Sequence, residues 1–317
     1  MHHLHFDEIL LDDRKIHYYG PQDLKILPAT IDSRRSASVY AVKWKNTSTI
    51  YAIKKSVDNK EVYLMNMANS HKNIIHFHGI TKSDDEKKYS LVLEYADGGT
   101  LRDYLRNDTI TFKWKDQLKL AKEIASAILW LHDDRGIVHG DLHPNNILLH
   151  QNTIKVADFG HSCLKGSDNN AGTYGVIPYI DPKFFETHSY RKTEKCDIYS
   201  LGVLFWELTS RKSPFDFENK KDDEHPSIIL TILNRLREEP VKNTNAIFVE
   251  LYQKCWEHEP DKRPDIHQVN SELDSIDSEN IDVSTVSPKK SEEESKETKF
   301  VHSCQIDIDK IRQNTLF

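Results

Sequence analysis

A chain of 317 residues, 38% hydrophobic and 29% charged, has the composition of a globular protein with a polar appendage and can bury a substantial core. Its net charge of −7 argues against a nucleic-acid surface built on excess basic charge. No run of eighteen apolar residues occurs and the N-terminal end lacks the apolar stretch of a secretory signal, so no membrane span and a cytoplasmic location are expected.

Residues 1–20 are mixed and polar, with Ile9, Leu10 and Leu11 and the aromatics Tyr18 and Tyr19, and read at most as a cap on the domain. Val39–Val42 and Ile50–Ile53 are predicted as adjacent strands joined by the polar turn Lys45–Ser48, with a further strand at Tyr89–Leu93. One helix, Glu61–Ala68, interrupts this sheet-rich stretch. Beyond Gly98 and Gly99 the period becomes helical. Trp114–His132 sets Leu118, Ala121, Ile124, Ala125, Ile128 and Leu131 on one core-facing stripe, and Ile198–Leu208 and Phe248–Trp256 read similarly. From Ser271 the composition turns to Ser, Glu, Lys and Asp, and disorder is predicted. Residues 271–317 hold eleven Asp or Glu against six Lys or Arg, so most of the net charge sits there. Phe300–Phe317 regains a few apolar residues and reads either as a docking motif or as plain tail. Cys163, Cys196, Cys255 and Cys304 form no CxxC pair, which disfavours zinc and a disulfide framework.

The chemistry is concentrated in His139-Gly140-Asp141-Leu142-His143-Pro144-Asn145-Asn146, followed twelve residues after Asn146 by Asp158-Phe159-Gly160. This spacing supplies a carboxylate, an amide oxygen and a second carboxylate, the set that phosphoryl transfer from ATP requires. The stretch resembles the catalytic loop and metal-binding motif of the eukaryotic protein kinases, with Gly140 where the family has Arg.

The resemblance extends over roughly residues 22–274 and is closest in style to the tyrosine-kinase-like group. It implies a bilobal α+β fold, with a small antiparallel sheet lobe above a larger, mainly helical one and ATP in the cleft. It gives Asp141 the role of orienting a substrate hydroxyl and accepting its proton, and gives Asn146 and Asp158 the magnesium ions. Ala52-Ile53-Lys54 matches the strand whose lysine holds the α- and β-phosphates, and Glu61 fits the helix glutamate that holds that lysine. Only six residues separate Lys54 from Glu61, so the helix is expected to start late. Leu91–Ala96 matches the last strand and the hinge. Backbone groups near Glu94 and Ala96 would pair with adenine, Leu93 would stand at the rear, and Val39, Ala52 and Leu148 would sandwich the base. Asp197 matches the aspartate that braces the catalytic loop. Arg263 matches the arginine that pairs with the glutamate of Ala-Pro-Glu, a motif represented here by Pro178–Lys183.

Four departures stand out. The three glycines of the phosphate loop are replaced by Asp32, Arg34 and Ala37, and Arg34 or Arg35 is a candidate for contacting phosphate directly. Gly140 removes the usual receptor for an activating phosphate, although Ser162, Ser167, Thr173 and Tyr174 remain possible acceptors. His143 and Val176 replace residues that specify serine/threonine substrates. Lys183 in the glutamate place is expected to set two cations side by side, with Asp181 an alternative partner for Arg263.

The resulting expectation is an N-terminal extension (1–21), a kinase domain (22–274; small lobe 22–93, hinge 94–99, large lobe 100–274) and an acidic tail (275–317). Its function is predicted as ATP- and magnesium-dependent phosphorylation of a protein hydroxyl, serine or threonine being favoured, in intracellular signalling with upstream protein partners. A catalytically inert scaffold of the same shape is the alternative reading, and a small-molecule kinase is a third.

Overall fold

A computed structural model describes residues 16–27, 39–45, 47–83, 86–167, 175–187 and 189–276. Asp32, Arg34, Arg35 and Ala37 of the phosphate loop, together with Thr173, Tyr174, Cys304 and the tail from 277, lie outside the described residues.

The small lobe is a five-stranded antiparallel sheet in the order β1-β2-β3-β5-β4, formed by β1 (Leu24–Ile26), β2 (Val39–Trp44), β3 (Ile50–Val57), β4 (Phe77–Thr81) and β5 (Tyr89–Glu94). Burial alternates along β3 and β4, and β5 is buried on both faces. Ala41 pairs with Ala52, and Ala52 with Leu93. The segment before β1 does cap the sheet. Tyr19 N–H donates to the Ile80 carbonyl (2.8 Å), Ile80 N–H donates to that of His17 (2.9 Å), and the Tyr19 ring packs edge-on to Trp44.

Helix α1 (Asn59–Ala68) begins at once after β3, contrary to the late start expected. Asp58 is the single residue between them, and its carboxylate caps the helix by accepting Glu61 N–H (2.8 Å). A good capping residue directly behind the strand removes any need for a connecting loop. Glu61 therefore sits in the first turn of α1.

The large lobe is helical: α2 (Leu101–Arg106), α3 (Trp114–Leu129), α4 (Lys183–Glu186), α5 (Glu194–Ser210), α6 (His225–Leu233), α7 (Ala246–Cys255) and α8 (Ile266–Ser275). α5 is its spine, buried without interruption from Cys196 to Leu208 and packed between α3 and α7. Short strands β6 (Ile137–Val138) and β9 (Cys163–Leu164) pair with each other, as do β7 (Ile147–His150) and β8 (Thr153–Val156). The change in composition at Ser271 is not the end of packing. α8 runs on to Ser275 with Leu273 and Ile276 buried, because its apolar positions fall at helical spacing among polar ones.

The lobes are stitched between Asn73 and β8. Ile75 N–H donates to Val156 O (2.9 Å), Val156 N–H to Asn73 O (2.8 Å), and the Asn73 side chain to Ile154 O (3.1 Å). Among the described residues no helix is long and apolar enough to cross a membrane.

Candidate active site

Lys54 and Glu61 meet with Nζ–Oε1 at 2.7 Å, and Lys54 also reaches Asp158 Oδ1 at 2.8 Å. Three residues from a strand, a helix and a large-lobe turn thus converge on one ammonium. Burial by itself would lower the Lys54 pKa, yet Asp158 and Glu61 outweigh it and push the group above its ordinary value. For Asp158 burial acts upward and Lys54 prevails, holding the carboxyl below its usual range. At Glu61 burial prevails over Lys54, and the carboxyl is raised.

Asp158 has φ of +65°, a conformation that Asp tolerates better than most residues, and its Oδ1 accepts Gly160 N–H (3.2 Å). Gly160 carries no side chain for a reason. An added Cβ would lie 3.3 Å from Asp158 Oδ1 and 3.4 Å from Glu61 Oε2, crowding the ion cluster.

Asp141 and Asn146 are joined across the turn at Pro144–Asn146. The Asn146 amide donates to the Asp141 carbonyl (2.9 Å) and to Asp141 Oδ2 (3.1 Å). The loop is held from beneath by Asp197, whose carboxylate accepts His139 N–H, Gly140 N–H and His132 Nε2, each at 2.8 Å. His139 Nε2 in turn reaches the carbonyl of Ala157, just before Asp158 (3.1 Å). Burial alone would raise the Asp141 carboxyl, but the imidazole of His143, followed by those of His161 and His139, holds it at about 2. His143 Nε2 stands 3.6 Å from Asp141 Oδ1.

This depressed pKa fixes a sign. The contribution of Asp141 to stability is present above its unfolded value and lost as pH falls through about 2, so the carboxylate stays ionised at any pH where the domain works. A carboxyl-carbon NMR titration of Asp141 is expected to show no midpoint in the usual aspartate range. A midpoint at about 4 would contradict the electrostatics described.

Of the residues expected around the nucleotide, Ala52 and Leu148 pack against the core cluster that contains Leu93 and Ala96, while Val39 pairs in register with Lys54. Leu93 is buried. Glu94 N–H is committed to His76 O (2.9 Å), so the backbone group this residue can offer adenine is its carbonyl. Its carboxylate is drawn to Lys155 (2.9 Å). Gly98 N–H and Gly99 O bond to Leu149 O and N, each at 2.9 Å, which sets Leu148 against the hinge.

The end of the segment leading to α4 corrects the expectation of two facing cations. Asp181 and Arg263 form a buried bidentate pair, at 2.5 and 3.0 Å, with neither side chain exposed. Lys183 turns instead to Glu186 and Glu259, each at 2.9 Å. The carboxylate of the motif has moved two positions earlier, to the turn itself. Ser162 is also unsuited to accept a phosphate, being fully buried with its hydroxyl donated to His139 O (2.8 Å).

Comparison with known proteins agrees with this geometry. The profile of the protein kinase domain matches residues 30–273. The chain belongs to the protein kinase domain family. The domain is 31% identical over 243 residues to a putative serine/threonine-protein kinase/receptor of Acanthamoeba polyphaga mimivirus, covering 73% of this chain and 14% of that protein. It is also 31% identical over 218 residues to a serine/threonine/tyrosine-protein kinase of Arabidopsis thaliana, covering 65% and 52%. A probable LIM domain-containing serine/threonine-protein kinase of Dictyostelium discoideum is 29% identical over 293 residues, 86% of this chain and 43% of its own. The chain thus spans from about a seventh to about half the length of these curated relatives.

Two kinase-domain residues escape a motif reading. Gly175 lies so close to Asp141 that a Cβ would sit 3.0 Å from its Oδ1. Lys192 reaches the catalytic loop from just before α5. The one signal for it in the sequence is the missing arginine at Gly140.

Proposed function

We propose that this kinase domain transfers the γ-phosphoryl group of ATP to a serine or threonine hydroxyl of a protein substrate, inside the cell. The observation that carries this reading is Lys54 bonded at once to Glu61 and Asp158, the arrangement in which a phosphate-holding lysine is poised for use. Relatives named as serine/threonine kinases support the choice of hydroxyl.

In this reading Lys54 binds the α- and β-phosphates and Glu61 keeps it in place. Val39, Ala52 and Leu148 enclose adenine in front of Leu93, with the Glu94 carbonyl and the Ala96 backbone as its polar partners. Asp141, kept ionised, orients the substrate hydroxyl. A bond forms between that oxygen and the γ-phosphorus, the bond to the β,γ-bridging oxygen breaks, ADP leaves, and Asp141 accepts the hydroxyl proton.

Asn146 and Asp158 would hold magnesium. Among the described residues no group of three or more His, Cys, Asp or Glu forms a metal cage. A cation held by one carboxylate, one amide oxygen and the nucleotide's own phosphates suits the ligand habits of magnesium. Because the Asn146 nitrogen is occupied by Asp141, its oxygen is the atom suited to a hard cation. When bound, magnesium neutralises phosphate charge.

The test is transfer of labelled phosphate from magnesium ATP to the protein itself and to a generic protein substrate, with mass spectrometry of the acceptor. Phosphoserine or phosphothreonine is expected. A well-folded protein that transfers nothing would favour a kinase-shaped binding module, a reading that rests on Asp32, Arg34 and Ala37 standing where the phosphate loop has glycine.

A further inference from the structure

Gly140 occupies the position where the family carries arginine, and it is not a vacant place. Its φ is +72°, and a Cβ added there would lie 3.0 Å from Lys192 Cδ, 3.1 Å from Lys192 Nζ and 3.1 Å from His161 O. Lys192 Nζ donates to that same His161 carbonyl at 2.9 Å. A cation thus lies directly over the backbone of residue 140, and its hydrogen bond reaches the residue immediately after Asp158-Phe159-Gly160.

Lys192 stands at the entrance to α5. It precedes Thr193, the N-cap residue of α5, and Asp197 one turn further on grips the N–H groups of His139 and Gly140. The start of α5 therefore offers the catalytic loop both charges, a carboxylate below and an ammonium above. The far side is knitted as well. Ser162 Oγ donates to His139 O (2.8 Å), and β9 pairs with β6 through Cys163 and Val138. Lys192, Gly140, Asp141 and Val176 share the lining of one small pocket, which places the ammonium in the neighbourhood of the reacting carboxylate.

We propose that Lys192 is a positioning residue for phosphoryl transfer, its ammonium clamping the His161 carbonyl to the catalytic loop at the place vacated by the arginine side chain. The clamp needs no phosphate on the segment beyond residue 164, because the lysine and its carbonyl acceptor already meet at 2.9 Å. Gly140 is what admits it, since any larger residue there displaces the lysine. Burial lowers the Lys192 pKa and Asp141 is the strongest influence in the opposite sense, so the two groups feel one another electrostatically.

The inference rests on the proposed kinase activity, and its test separates the two. Turnover and hydrogen exchange are measured on wild type, Lys192→Met and Lys192→Arg. Lys192→Met is expected to lower kcat roughly tenfold or more, with the KM for ATP within about twofold, and Lys192→Arg to retain more of the rate than the Met variant. Amides of residues 161–164 are expected to exchange faster in Lys192→Met, a readout that needs no turnover. An active wild type with Lys192→Met unchanged in kcat would overturn the clamp alone. A wild type without transfer would overturn the activity, and unchanged exchange at 161–164 would then overturn the clamp as well.

Discussion

Asp158→Asn is expected to lower phosphate transfer by at least about a thousandfold while leaving the fold in place, since a charged group aimed at the phosphates acts mainly in the transition state. Asparagine is the better probe here than alanine. Asp158 holds φ of +65°, a backbone that Asn tolerates and Ala resists. The substitution keeps the shape of the side chain and removes its charge, so Lys54 loses one of two anionic partners and keeps Glu61 at 2.7 Å. Any magnesium ion would lose its single protein carboxylate. Labelled-phosphate transfer and thermal unfolding, run side by side, decide the matter. A variant with wild-type turnover would remove Asp158 from the site, and one that unfolds would show that the cluster serves structure first.

Arg263→Ala is expected to destabilise the large lobe by about 3–5 kcal/mol, because it strands a buried carboxylate. All five guanidinium N–H groups are used: two go to Asp181, and the others to the carbonyls of Glu257, Lys195 and His258. Asp181 is likewise filled, accepting from Tyr190 (3.0 Å) and from Lys183 N–H (3.0 Å). Lys183→Ala offers the contrast. Its partners Glu186 and Glu259 are more than a third exposed, and such a pair contributes at most about 1 kcal/mol. Urea unfolding of both variants checks the difference. Equal losses would mean that the buried pair is worth no more than a surface one.

Much of this is legible in the order of residues, for reasons that differ from place to place. Strand β3 and helices α3 and α7 announce themselves by apolar residues at the period of one buried face, whereas β2, β5 and α5 show as near-continuous apolar runs. Lys54, Glu61, Asp141, Asn146 and Asp158 can be named because each sits in a short motif whose spacing is dictated by a turn. What cannot be read is set by contacts between distant segments. Lys183 looks misplaced in the sequence because Asp181 carries the ion pair from the preceding turn, and nothing local says which of two nearby residues faces Arg263. Lys192 belongs to the same class, since it is fifty-two positions from the glycine it covers. The start of α1 escapes a sequence reading for a subtler reason. The count between Lys54 and Glu61 is right, but a strand followed immediately by its own capping aspartate uses those residues without a loop.

That economy bears on how the domain can move. With Asp58 alone between β3 and α1, there is no slack in the chain at this point, and Glu61 is only seven positions from the lysine it holds. For α1 to swing outward it would have to pull the end of β3 out of the sheet with it. The contact is short in sequence, so little loop entropy opposes its formation and it can close early in folding. The strand that carries the lysine delivers the partner too.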